Sequence, residues 1–172
     1  MAAVQQFEND GNHTRIRFVA STTLFDVDGW FDKYKLNIQG DPVTLKDASV
    51  KVEIDAASIN TSNQKRDDHL RSPDFFDVKK YPTITFTSDK VTKKGKKILV
   101  TGDLTMHGIT KKVSIPFSKT TAKNGAGVEE TVFRGDLTID RTDYQIGTES
   151  LAAKISLKDD VKVHLVIAGF FK

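Results

Sequence analysis

Residues that favour burial recur at every second position through most of this chain, and that habit restricts it to strands. Thr14, Ile16, Phe18 and Ala20 share one face of a run whose other face holds Arg15 and Arg17. Val50, Val52, Ile54 and Ala56 alternate with Lys51, Glu53 and Asp55 in a run reading as far as Ile59. The same parity orders Ile84, Phe86 and Ser88, then Val100, Gly102, Leu104 and Met106, then Val113, Ile115 and Phe117. Phe133, Gly135, Leu137 and Ile139 follow, and Val161, Val163, Leu165, Ile167, Gly169 and Phe171 close the series. A period of two puts successive side chains on opposite faces of a pleated strand, so each run predicts a strand with one apolar face.

Short polar turns join the runs: Gly40-Asp41-Pro42, Lys93 to Lys97 around Gly95, and His107-Gly108. No long amphipathic helices alternate with them, which argues against a parallel α/β sheet. An antiparallel meander this long must close or stack to remove its edges. Closure at about eight strands leaves an interior that is filled by side chains or holds one small ligand. Between Leu24 and Ile38 the parity switches from Phe25, Val27, Gly29 and Phe31 to Trp30, Tyr34, Leu36 and Ile38, predicting a bulge or bend near Asp32-Lys33. Gly29 fits a close approach or a barrel corner. Lys119 to Glu130 reads as a polar loop, and Ser150 to Asp160 as a loop or a short strand around Ile155 and Leu157. Gly-Asp-Leu-Thr occurs at Gly102 and again at Gly135, as in two strands meeting one barrel constraint.

Only from about residue 60 to 80 does the alternation stop. Asn60, Thr61 and Ser62 are competent N-caps for a charged, helix-tolerant run to Arg71, and Ser72-Pro73 predicts a second short helical turn. Phe75, Phe76 and Val78 then need burial against the open end of a sheet or barrel, and Tyr81-Pro82 starts the next strand.

A chain of 172 residues with 28% charged and 38% hydrophobic residues suits one globular domain, spanning 1–172. Its net charge of +3 owes much to lysine turns that read as solvated hairpin tips. No aromatic residues interleave with those lysines, which argues against nucleic acid. With no cysteine, disulfides, thiolate catalysis and Cys-based zinc sites are excluded. No apolar run approaches a transmembrane length, and the start from Met1 lacks the pattern of a signal peptide. The compartment stays open between periplasm, after signal removal, and cytoplasm.

His13, His69, His107 and His164 form no metal-binding spacing, and no nucleophile elbow or phosphate-binding glycine loop occurs. Asp67-Asp68 is an adjacent pair of the kind usually only solvated. The motifs therefore predict a non-catalytic protein without a metal or cofactor, although a barrel can assemble a site from distant strands.

Four segments carry a resemblance. Ser58-Ile59-Asn60-Thr61, Arg66-Asp67-Asp68-His69-Leu70-Arg71-Ser72, Phe75-Phe76-Asp77 and Tyr81-Pro82-Thr83-Ile84-Thr85-Phe86 are similar, in order and spacing, to the signature of the YceI-like family of bacterial lipid-binding proteins. Gly102 to Lys111 and Asp140 to Gly147 extend it, while Leu36 stands near where the family has a second glycine. The resemblance implies an all-β fold, a closed antiparallel lipocalin-like barrel with one short helical insertion. It also implies a long isoprenoid or related lipid held inside, for binding, transport or storage, and allows a homodimer. Alternation alone is equally satisfied by a filled core. An enzyme acting on an isoprenoid lipid and a stress-related interaction barrel are the alternatives.

Under the lipid reading, the lining and mouth are expected from Phe18, Val52, Ile54, Phe75, Phe76, Tyr81, Ile84, Phe86, Leu104, Met106, Phe117, Phe133, Leu137 and Leu165. Arg66, His69, Arg71 and Arg141 are head-group candidates. The plainer expectation for those four is an ion-pair network with Asp67, Asp68, Asp74 and Asp140, tying the insertion to the barrel.

Overall fold

A computed structural model describes residues 3–172; Met1 and Ala2, where the leader reading begins, lie outside the described residues. The alternating runs form strands β1 (Gln5–Asn9), β2 (Arg15–Thr22), β3 (Asp26–Phe31), β4 (Tyr34–Gly40), β5 (Ser49–Asp55), β6 (Ile59–Asn60), β7 (Thr83–Lys94), β8 (Lys97–Met106), β9 (Ile109–Lys123), β10 (Glu129–Asp140) and β11 (Leu157–Phe171). Eight of them close a ring in the order β1-β4-β5-β7-β8-β9-β10-β11, with β11 returning to β1. All pairings are antiparallel. Closure matches the need to leave no unpaired edge.

The long strand β11 makes the seam. One edge pairs with β10 throughout, while its other edge pairs first with β2 and then with β1, in register Leu165↔Ile16 and Phe171↔Phe7. β3 and β6 continue from β2 beyond the eight-strand ring. The chain breaks at Asp32-Lys33, where the parity switches: β3 pairs with β2 and β6, β4 with β1 and β5. At His107-Gly108 both residues have positive φ, +52° and +73°, as a two-residue hairpin with matching twist requires.

Four expectations need correction. β5 does not run on to Ile59; a 3-10 turn at Ala56–Ser58 intervenes, because the Asp55 carboxylate accepts the Ala57 N–H and caps it. The insertion helix α1 (Gln64–Arg71) is capped by Asn63, whose side chain accepts from Arg66 N, and not by Asn60, Thr61 or Ser62. A short turn does follow Ser72, whose carbonyl accepts the Phe75 N–H, but Ser72 does not cap it: its hydroxyl donates back to the His69 carbonyl at the end of α1. The loop expected at Lys119 to Glu130 is hairpin for most of its length, since β9 reaches Lys123 and β10 begins at Glu129. Beyond these, the segment read as a loop or a short strand around Ile155 and Leu157 holds a second helix, α2 (Leu151–Ser156), capped by Ser150, and the strand there, β11, begins only at Leu157. The barrel therefore carries two short helices rather than one.

Apolar side chains gather in two clusters along the strand direction. One, toward the insertion, includes Ile16, Phe31, Ile54, Ile59, Phe75, Met106 and Tyr144. The other, at the opposite end, includes Phe7, Ile38, Phe86, Ile98, Ile115, Phe133 and Ile167. Val52, Leu104 and Leu165 touch both clusters and are only partly buried.

Candidate functional site

Those partly buried residues point inward in a closed barrel, so their remaining exposure faces an internal space. A cavity of about 250 Å³ lies there. For scale, an apolar cavity of about 150 Å³ stays dry and holds benzene. The wall is almost wholly hydrocarbon and draws on strands all around the ring; the polar residues among those that border it are Arg17, Gln39 and Arg141. Every side chain expected at the lining or mouth borders this space except Tyr81.

Tyr81 lies elsewhere because its ring packs edge-on against His107, with centroids 4.8 Å apart, and covers Gly108. Phe75 and Phe76 do wall the insertion end. Phe75 is buried beneath the His69 ring, at 5.1 Å, and Phe76 meets Phe31 edge-on at 6.1 Å. Leu70 of α1, Ile59 of β6 and Ile146 complete that end. Sequence reading missed Leu70 and Ile146 because they lie outside the alternating runs, and Ile59 because it falls on the opposite parity to Val52, Ile54 and Ala56 in its run. Leu45, at the other end, sits in a loop at φ +57°, and no local pattern marks it as lining.

Why the barrel is hollow can be read from its rings. Phe18, Phe86 and Phe117 do not cross the lumen; each lies against an inward-facing glycine, Gly29, Gly102 and Gly135 respectively. Both copies of the Gly-Asp-Leu-Thr tetrad thus supply a glycine under a ring, and Gly29 is the close approach expected of it.

The four head-group candidates are largely committed to the protein. Arg66 donates to the hydroxyl and carbonyl of Thr61 at 2.8 and 2.9 Å. Arg71 donates to the carbonyls of Ala57 and Ile59 at 2.7 and 3.0 Å and pairs with Asp68 at 3.1 Å. His69 meets Asp74 at 2.9 Å. Arg141, whose side chain is 7% exposed, donates to the carbonyls of Ile146, Leu157 and Lys158 and pairs with Asp159. The expected ion-pair network forms only within the insertion, and main-chain oxygens rather than aspartates tie Arg71 to the barrel. Asp68 and Asp74 pair as foreseen, but buried Asp67 accepts from Thr61 N and Oγ1, and Asp140 caps Thr142. Those Thr142 bonds hold the Asp140 carboxyl below the usual range.

No histidine borders the cavity among the described residues. His13 contacts Asp10 at 2.5 Å, His164 contacts Asp136 at 2.5 Å, and His107 Nδ1 lies 2.9 Å from the Tyr144 carbonyl oxygen. Asp10, His13 and Glu130 form the one group among the described residues whose ligand atoms gather closely enough for a metal, all within 4.8 Å. It sits at the β1–β2 corner, outside the cavity wall. Burial pushes the Tyr144 hydroxyl up, with a smaller push from Asp143, and burial lowers the Lys119 amine. No helix among the described residues is long and apolar enough to cross a membrane.

Comparison with known proteins adds four findings. A profile described as the YceI-like domain matches residues 7–168. The UPF0312 protein of Vibrio campbellii is 32% identical over 167 residues, covering 95% of this chain and 86% of the relative. Among solved structures, BcnA of Burkholderia cenocepacia superposes with a TM-score of 0.83 at 29% identity, covering 95% of this chain and 100% of that one. A polyisoprenoid binding domain from Saccharophagus degradans, implicated in plant cell wall breakdown, superposes with a TM-score of 0.70 over 100% of both chains. At 18% identity that last likeness is one of fold.

Proposed function

The chain belongs to the YceI-like domain family, and from that premise we propose that it binds a long lipophilic molecule inside its barrel and carries or stores it unchanged. The observation that carries this reading is the hydrocarbon-walled cavity that reaches across both apolar clusters. Removing a chain from water stabilises it by about 0.8 kcal/mol per CH₂, and a dry wall supplies that gain without polar groups. A polyisoprenoid or isoprenoid quinone is the cargo class we assign, and the binding property of the Saccharophagus degradans domain, which shares the fold, supports it.

On this reading Phe18, Val52, Leu104, Phe117, Leu137 and Leu165 grip the hydrocarbon, and the polar end lies at the α1 end. Arg141 is the one head-group candidate that borders the cavity, and its donors already hold main-chain oxygens. Affinity therefore comes from hydrocarbon contact more than from charge. The histidines stand outside the cavity wall, which supports carriage without turnover.

Solvent extraction of the protein purified from a bacterial host, followed by mass spectrometry, is expected to release an apolar lipid in near-stoichiometric amount. Native mass spectra should show the same mass difference. Bare polypeptide, together with no uptake of an added prenyl quinone by delipidated protein, rules the reading out.

A further inference from the structure

Phe18 and Gly29 stand directly opposite each other on β2 and β3, as Phe117 and Gly135 do on β9 and β10. A Cβ built on Gly29 would meet Phe18 Cζ at 2.2 Å and Cε1 at 2.7 Å, and its three nearest atoms all belong to that ring. A Cβ on Gly135 would meet Phe117 Cε1 at 2.5 Å and Cδ1 at 2.6 Å, again with ring atoms nearest. Each ring thus fills the place a side chain would take on the wall. Carbon atoms rest about 3.5–4.0 Å apart, so one added methyl drives either ring toward the lumen by about 1 Å or more.

Gly102 and Gly169 behave differently. There an added Cβ would strike main-chain oxygens, Thr87 O at 2.2 Å and Glu8 O at 2.1 Å, so the backbone itself would have to move. At Gly147 the nearest atoms also belong to side chains that border the cavity, Phe75 and Arg141, but its φ of +74° strains any substitution; at Gly29 and Gly135 the obstacle is wholly a lining ring and no positive φ intervenes.

We propose that the Phe18–Gly29 and Phe117–Gly135 pairs set the cross-section of the cargo that the barrel accepts. This rests on the reading of the protein as a lipid carrier. A methyl-branched isoprenoid chain is wider than a straight alkyl chain of equal length, and the recessed rings leave room for its branches.

Hexadecanol and geranylgeraniol test this, because they share a terminal hydroxyl and a main-chain length and differ in branching and unsaturation. Dissociation constants for both are measured on the full chain, with folding checked by thermal unfolding. Gly29→Ala and Gly135→Ala are expected to weaken geranylgeraniol about tenfold more than hexadecanol, the scale on which a pocket senses a methyl group. Phe18→Leu and Phe117→Leu, which slim the ring without crowding it, are expected to shift the ratio the opposite way. Gly29→Ala combined with Phe18→Leu should return it toward the parent value. If the alanine variants do not fold, the leucine variants decide. A parent protein that binds both probes, with a ratio that no variant moves, overturns the assignment of the bore alone. A parent protein that binds neither overturns the carrier reading and this inference with it.

Discussion

At the scale of single residues, Arg141 does more than its charge suggests. Its guanidinium, 7% exposed, ties the carbonyls of Ile146, Leu157 and Lys158 to one point and so fixes the start of β11 beneath the insertion end. A buried carbonyl left without a donor costs about 1–3 kcal/mol. Arg141→Met is therefore expected to lower stability by about 3 kcal/mol or more in urea denaturation, with Arg141→Lys recovering only part, because a single ammonium cannot span the fork. A different residue gives a pH signature. The hydrogen bond that the His13 ring donates to the Asp10 carboxylate raises the His13 pKa from its ordinary 6.5, and the same bond is the largest cause lowering Asp10 from 3.8. The histidine contribution is complete below 6.5 and is lost as pH rises through the raised folded value. The aspartate contribution is complete above 3.8 and is lost as pH falls through the lowered folded value. The pair thus stabilises fully between those limits. NMR titration should place the His13 ring above its ordinary value, and Asp10→Asn should bring it back.

At the scale of elements, the barrel has two unlike walls. β7 to β11 are continuous strands of 10 to 15 residues, whereas β1 to β6 are pieces of 2 to 8 interrupted at Asp10–Thr14, Asp32-Lys33 and Ala56–Ser58. Opening a short piece breaks fewer hydrogen bonds at once. Amide exchange is expected to be fastest in β3, β4 and β6 and slowest at the centre of β8 to β11; uniform protection would contradict this. The same contrast explains what the sequence revealed. The barrel's apolar strands are legible because one face is buried, and alternation records that face directly. The break at Asp32-Lys33 is legible for the same reason, as a change of parity. α2 is not, because its burial is inverted: Leu151 and Ile155 are 72% and 75% exposed while Ala153 is 3% exposed. The far ends of β9 and β10 stand beyond the lumen with polar side chains on both faces, so no alternation marks them. Tyr81 looked like a mouth residue from its place beside the phenylalanines, but its partner His107 comes from a distant hairpin. The arginine contacts were hidden because main-chain oxygens have no signature in side-chain order.

At the scale of the whole molecule, the cavity makes stability depend on what fills it. A ligand that binds only the folded state at a hundredfold excess over its dissociation constant stabilises by about 2.7 kcal/mol. For a chain of this size that corresponds to roughly 5–10 °C in melting temperature. Delipidated protein is expected to melt lower by about that much and to recover on addition of a prenyl lipid; identical melting with and without lipid would argue against a cargo. The seam at β11 has a kinetic counterpart. Phe7 meets Phe171, and Thr14 bonds the Ala168 carbonyl, so ring closure joins segments far apart along the sequence. Contacts between such remote segments form late, after the loop entropy between them has been overcome. Until then the polypeptide is a trough rather than a tube, and an oily chain can be laid along it and wrapped instead of being threaded end-on. Refolding from urea in the presence of lipid should accordingly load the protein faster than adding the same lipid to the finished barrel.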